Sequence, residues 1–257
     1  MRYVIFILTI TALAAQTPES LWRVARSGQR DPVVRTRQML QVSTLDALSS
    51  GIYSASYTVG ELKRQGDFGV GTFEGLDGEL IALDGHFYQM RSNGQLTEAD
   101  DKDKVPFVNL VQFKADVQFS VRNLTQTQLA DVIDSLIPSK NYFYAIKVHG
   151  TFRDITTRAI AKQVLPYPPL AQLIPGQSVF NYANIAGTAV GIRSPSFVAG
   201  LNPVGHHFHF VSDDRKAGGH SLAFTIGDAT LEIQRFIRHS IWFPDEEPFR
   251  KAILPLP

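Results

Sequence analysis

Residues 203–220 read Pro203-Val204-Gly205-His206-His207-Phe208-His209-Phe210-Val211-Ser212-Asp213-Asp214-Arg215-Lys216-Ala217-Gly218-Gly219-His220, and the rest of the chain is best read outward from them. Four of the seven histidines fall in this one segment. Phe208, Phe210 and Val211 favour a strand. Side chains alternate between the two faces of a strand, so His207 and His209 share a face, about 6–7 Å apart along the chain. His206 has the parity of Phe208 and Phe210 and points the other way, which removes it from any site the pair builds. The polar, glycine-rich residues 212–219 read as a turn that returns His220 beside the pair on the next strand.

Three imidazoles so placed suit zinc, with copper, iron, nickel and manganese less favoured. Three protein ligands leave coordination positions open, which is the catalytic rather than the structural pattern. Surface histidines are the alternative reading of the same residues.

The chain is 257 residues long and 44% hydrophobic, enough for a full core in one large or two modest domains. A net charge of +1 gives no electrostatic case for a nucleic-acid partner. Residues 1–15 combine Arg2 with the short apolar run 4–13 and small residues after it, the pattern of a signal peptide. No other run approaches the length of a membrane span. The mature protein is therefore expected to be secreted, with no membrane partner. It has no cysteine, so neither disulfides nor thiolate chemistry enter.

Elsewhere the pattern is strand-rich. Thr58 with Glu61 and Thr125 with Gln128 are capping boxes. The first is expected to open a helix over residues 59–65 ended by a left-handed Gly66, the second a helix with Leu129, Val132, Ile133 and Leu136 on one face, stopped by Pro138. Residues 16–31 read as a polar arm, Ile52-Tyr53 as a short strand and residues 94–104 as a loop. Asp77-Gly78 and Asp84-Gly85 signal tight hairpins. Gly69 and Gly71 are not followed by a phosphate loop, so close backbone packing explains them better. Leu165-Pro166-Tyr167-Pro168-Pro169-Leu170 cannot sit in a central strand or helix interior. The expected fold is α+β and strand-rich: two mixed or antiparallel β-sheet domains with a few short helices, divided at this proline segment. Residues 16–165 form the first domain, and residues 166–257 form a second that carries the metal site on a β-hairpin.

Neither Gly-x-Ser-x-Gly nor His-Glu-x-x-His occurs, which disfavours a serine hydrolase and a zincin protease. Glu79, at a strand start, is a candidate proton carrier, with a solvated strand-end carboxylate as the alternative. Arg158 is a candidate for gripping a carboxylate, with a surface arginine as the alternative. On the residues alone, a metal-dependent hydrolase and a non-catalytic metal-binding protein stay open.

From about residue 51 to about residue 249 the chain resembles the α-acetolactate decarboxylase family. The resemblance is carried by Gly69-Val70-Gly71-Thr72-Phe73-Glu74-Gly75-Leu76-Asp77-Gly78-Glu79-Leu80, by Gly150-Thr151-Phe152 with Thr157-Arg158, and above all by residues 207–220. It implies His207, His209 and His220 as zinc ligands, Glu79 and Arg158 as active-site residues with Thr72 beside them, and no organic cofactor. The implied reaction converts 2-acetolactate to acetoin and carbon dioxide through an enediolate whose charge the metal stabilises. The resemblance, with strand-rich edges, also implies a homodimer. Glu246 and Glu247 lie nearer the histidines than that family's C-terminal glutamate, so the resemblance does not carry its role to either, and whether one of them replaces it stays open.

Overall fold

Turn residues and prolines divide the chain into elements, which a computed structural model describes for residue 22 and residues 37–254. In order they are β1 (Gln38–Val42), helix α1 (Leu45–Ser49), β2 (Tyr57–Thr58), α2 (Val59–Leu62), β3 (Phe68–Thr72), β4 (Glu79–Leu83), β5 (His86–Met90), β6 (Leu96–Glu98), β7 (Lys104–Val105), β8 (Phe107–Val111), β9 (Val117–Arg122), α3 (Gln126–Leu136), β10 (Phe143–Ala159), α4 (Leu170–Leu173), β11 (Ser178–Ser194), β12 (Gly205–Ser212), β13 (Gly218–Phe236), β14 (Arg238–Trp242) and α5 (Glu247–Lys251). Two sheets carry most of them. A seven-stranded sheet has the order β14-β1-β8-β3-β4-β5-β6, and a five-stranded sheet the order β10-β11-β12-β13-β9 with β10 also pairing β13. Only the β1–β14 pair is parallel among the described ladders.

Alternation decides what each strand buries. Leu80 and Ala82 pack with Val59 and Leu62 of α2 on the outer face of the seven-stranded sheet. Ile81 and Leu83, of opposite parity, meet Val190, Ile192 and Val211 of the five-stranded sheet. Phe208 and Phe210 face Leu129, Ile133 and Leu136 of α3 on that sheet's far side. The layers are thus helix, sheet, sheet, helix, and the odd residues of β12 look into the seam between the sheets.

Both capping boxes form. Helix α3 ends where Ile137, ahead of Pro138, turns extended, as the residue before a proline prefers. Asp84-Gly85 makes the two-residue turn between β4 and β5, with both residues at positive φ. Gly69 and Gly71 are explained by close approach: a Cβ would lie 2.1 Å from the Asn109 carbonyl oxygen and 2.2 Å from that of Phe107.

Several expectations change. Helix α2 stops at Leu62, and Gly66 is not left-handed; it is needed because a Cβ would lie 2.6 Å from the Val111 carbonyl oxygen. Ile52 and Tyr53 form no strand, because Tyr53 is consumed in packing, its hydroxyl donating to the Pro168 carbonyl. Asp77-Gly78 ends a six-residue connection with a 3-10 turn rather than a two-residue hairpin. The charged segment 94–104 includes β6 and the start of β7. The proposed signal peptide and most of the polar arm lie outside the described residues. Trp22, within that arm, is buried, with its indole N–H donating to the Leu136 carbonyl at 3.0 Å.

The division at the proline segment does not separate the sheets. β9 and β10 precede it yet pair with β13 and β11, and β14 follows it yet pairs with β1. Prolines interrupt a strand's donors but say nothing about which strands recombine beyond them. The segment instead packs Tyr167 and Leu170 against Tyr53 and Leu76.

Gly71→Ala should lower the unfolding free energy by about 3 kcal/mol through overpacking against backbone. Gly176→Ala, with no atom within 4 Å of the added carbon, should change it by under about 0.5 kcal/mol. Urea unfolding followed by circular dichroism measures both.

Candidate metal centre

The three histidines meet as parity demands. His207 and His209 are on the seam face of β12, and His209 is the direct cross-strand partner of His220 on β13. Their nitrogens lie within 4.8 Å of one another. His207 Nε2 and His220 Nδ1 are 3.0 Å apart. Two nitrogens bound to one tetrahedral zinc at about 2.0–2.1 Å would be about 3.3 Å apart. His209 is oriented by its other nitrogen: Nδ1–H donates to the Leu80 carbonyl at 2.8 Å, leaving Nε2 free to ligate.

Burial keeps all three rings neutral, the form that binds metals. It pulls His207 down to about 4, with the nearby Arg158 guanidinium adding to the effect. His209 and His220 are lowered well below the ordinary value, first by burial and then by His207. Nδ1 of His207 is buried without a hydrogen-bond partner. A donor set of neutral imidazoles, one with an orphaned buried nitrogen, fits a divalent cation.

Glu79 and Arg158 arrive from different sheets. Glu79 shares parity with Ile81 and Leu83, so it projects into the seam from β4. Arg158 on β10 is the cross-strand partner of His220. Arg158 Nη1 donates to Glu79 Oε1 at 3.0 Å, and Glu79 Oε2 lies 3.6 Å from His209 Nε2. Burial pushes the Glu79 carboxyl up, while Arg158 opposes that more weakly. Thr72 is the cross-strand partner of Glu79, and its hydroxyl donates to the Gly78 carbonyl at 2.7 Å. It braces the turn that delivers Glu79.

His206 lies on the opposite face as expected, with Nε2 3.0 Å from Asp134 Oδ1 of α3. Glu246 accepts from the Ser56 hydroxyl, and the exposed Glu247 pairs with Lys251. The Leu80 carbonyl is the participant that sequence reading missed. A backbone oxygen leaves no compositional signal, and its role follows only from how the sheets stack.

A family model described as alpha-acetolactate decarboxylase matches residues 39–255. The alpha-acetolactate decarboxylase of Bacillus subtilis strain 168 is 36% identical over 240 residues, covering 93% of each chain. That of Methanosarcina mazei is 42% identical over 198 residues, covering 76% of this chain and 69% of its own. The crystal structure of the Bacillus subtilis strain 168 enzyme superposes with a TM-score of 0.84 at 36% identity, covering 86% of this chain and 94% of that one.

His207→Ala and His220→Ala should each abolish stoichiometric zinc in elemental analysis of folded protein. His206→Ala should retain it and lose about 0.5–1.5 kcal/mol of stability, because half-buried Asp134 keeps Arg193 and Lys140 as partners.

Proposed function

The chain belongs to the α-acetolactate decarboxylase family of carboxy-lyases, and we propose that it converts 2-acetolactate to acetoin and carbon dioxide in a metal-dependent reaction. The observation that carries this reading is the line Arg158–Glu79–His209, in which a guanidinium, a buried carboxyl and a neutral imidazole converge from both sheets. The substrate offers a carboxylate, a hydroxyl and a ketone on adjacent carbons, and each has a chemical match here.

A divalent cation on the three imidazoles, zinc in our reading, would supply Lewis-acid stabilisation to the enediolate charge left as carbon dioxide departs. His207, His209 and His220 would hold it, and the Leu80 carbonyl would fix the ring of His209. Arg158 orients the leaving carboxylate, since a planar fork of donors matches it in two bonds. The carbon–carbon bond breaks and its electron pair passes to the ketone oxygen. Glu79 takes the proton of the substrate hydroxyl and delivers it to the carbon that lost carbon dioxide, and one proton drawn from solvent restores the hydroxyl of the product. Its raised pKa suits a group that works in both directions. Thr72 holds the turn before Glu79 and so keeps the carboxyl in reach.

We also propose export after removal of residues 1–15, supported by their charge and apolar pattern, and a homodimer, supported by the edges that β14 and β6 leave unpaired among the described residues.

Purified zinc-loaded protein should form acetoin from racemic acetolactate and lose that activity to a chelator. Glu79→Gln and Arg158→Ala should each reduce kcat/KM by about 10²–10⁴. A folded, zinc-loaded sample that releases no acetoin would contradict the assignment.

A further inference from the structure

The turn that joins the ligand strands carries a strained arginine. The ladder closes two pairs beyond His209–His220, at Phe210–Gly219 and Val211–Gly218, and residues 213–217 make the turn. Arg215 there has φ +57°, a left-handed conformation that glycine or asparagine adopts at lower cost. The turn has ties of its own: the Ser212 hydroxyl donates to Asp214 at 2.6 Å and accepts from the Ala217 N–H at 2.9 Å.

The guanidinium ties back to the turn and also reaches beyond it. Nη1 donates to the Ser212 carbonyl at 2.7 Å and Nε to the Tyr88 hydroxyl at 3.0 Å. Its central carbon lies 5.1 Å from the centre of the Tyr88 ring. Tyr88 is buried on β5, the strand paired with β4, which bears Glu79 and Leu80. One side chain therefore ties the tip of the ligand hairpin to the sheet that supplies Glu79 and the Leu80 carbonyl. At Arg215 a left-handed backbone coincides with a cross-sheet contact of its side chain, a pairing that motivates a positioning role.

We propose that Arg215 is a positioning residue for the three-histidine centre. By fixing the turn on Tyr88 it sets how β12 and β13 lie against β4, and so the His209–Leu80 bond and the approach of Glu79. The proposal rests on the metal-site reading above. The hairpin then has two anchors on the opposing sheet, Leu80 near the ligands and Tyr88 at the tip. Ligand geometry depends on such support, and loss of an outer partner weakens metal binding even when every ligand remains.

The experiment measures Zn²⁺ affinity by competition with a chromophoric chelator on the metal-free full chain. Arg215→Gly relieves the backbone strain while removing the guanidinium. It should keep the circular dichroism and thermal midpoint of the unsubstituted protein yet bind Zn²⁺ about tenfold more weakly. Tyr88→Phe, which removes a single hydroxyl, should shift affinity in the same direction, and the double variant should be little weaker than Arg215→Gly alone. Trp22→Ala, on the far side of the five-stranded sheet, should lower the thermal midpoint and leave Zn²⁺ affinity unchanged. Affinity within twofold of the unsubstituted protein in both Arg215→Gly and Tyr88→Phe overturns the role of Arg215 alone. Failure of the unsubstituted chain to bind Zn²⁺ overturns the metal site and this inference with it.

Discussion

The hydrogen bond from His209 Nδ1–H to the Leu80 carbonyl, 2.8 Å long, joins the two sheets at the point where the chemistry assembles. It fixes the tautomer of His209, which turns Nε2 toward the other two rings. It also sets the depth at which β12 sits on β4, and therefore whether Glu79 can reach His209 and Arg158. The apolar seam around it, from Met39 and Val70 to Val190 and Ile192, supplies the attraction between the sheets. That attraction has no direction, and the histidine–carbonyl bond supplies one.

Electrostatics follow from the same enclosure. Three imidazoles, one carboxyl and one guanidinium share the seam, and burial acts on each according to its charge. The rings are kept neutral and so available as ligands. The carboxyl is pushed toward its protonated form, with Arg158 limiting the shift. A lone buried carboxylate would be costly, and the 3.0 Å contact with Arg158 is what allows Glu79 to hold either charge state. The acid and its cation come from different sheets, so neither forms its environment until the sandwich closes.

The glycine-rich stretch before Glu79 serves that closure. Gly69 and Gly71 let β3 pass close to the backbone of β8, and Gly75, Leu76 and Gly78 hold positive φ in the connection to β4. That connection is clamped from outside: the Gly75 N–H donates to the Tyr53 carbonyl, and the Gln163 N–H to the Gly75 carbonyl. The proline segment that looked like a boundary is thus close to the strap that steadies Glu79.

Local pattern was enough for much of this protein. A period of two separated His207 and His209 from His206, capping boxes placed two helices, and Asp84-Gly85 placed a hairpin, because each depends only on residues a few positions apart. The strand-rich class followed for the same reason. The partnership of strands did not. Residues 166–257 read as a separate domain, yet β11, β12 and β13 complete a sheet with β9 and β10, and β14 completes the sheet of β1. Pairing is chosen by which apolar faces can be buried together, a property of the whole chain. The sequence therefore determined which side chains point together on each strand, while only the tertiary structure decided that Glu79, the Leu80 carbonyl and Arg158 meet the histidines, since Arg158 arrives by the pairing of β10 with β13 and the other two by how two sheets stack.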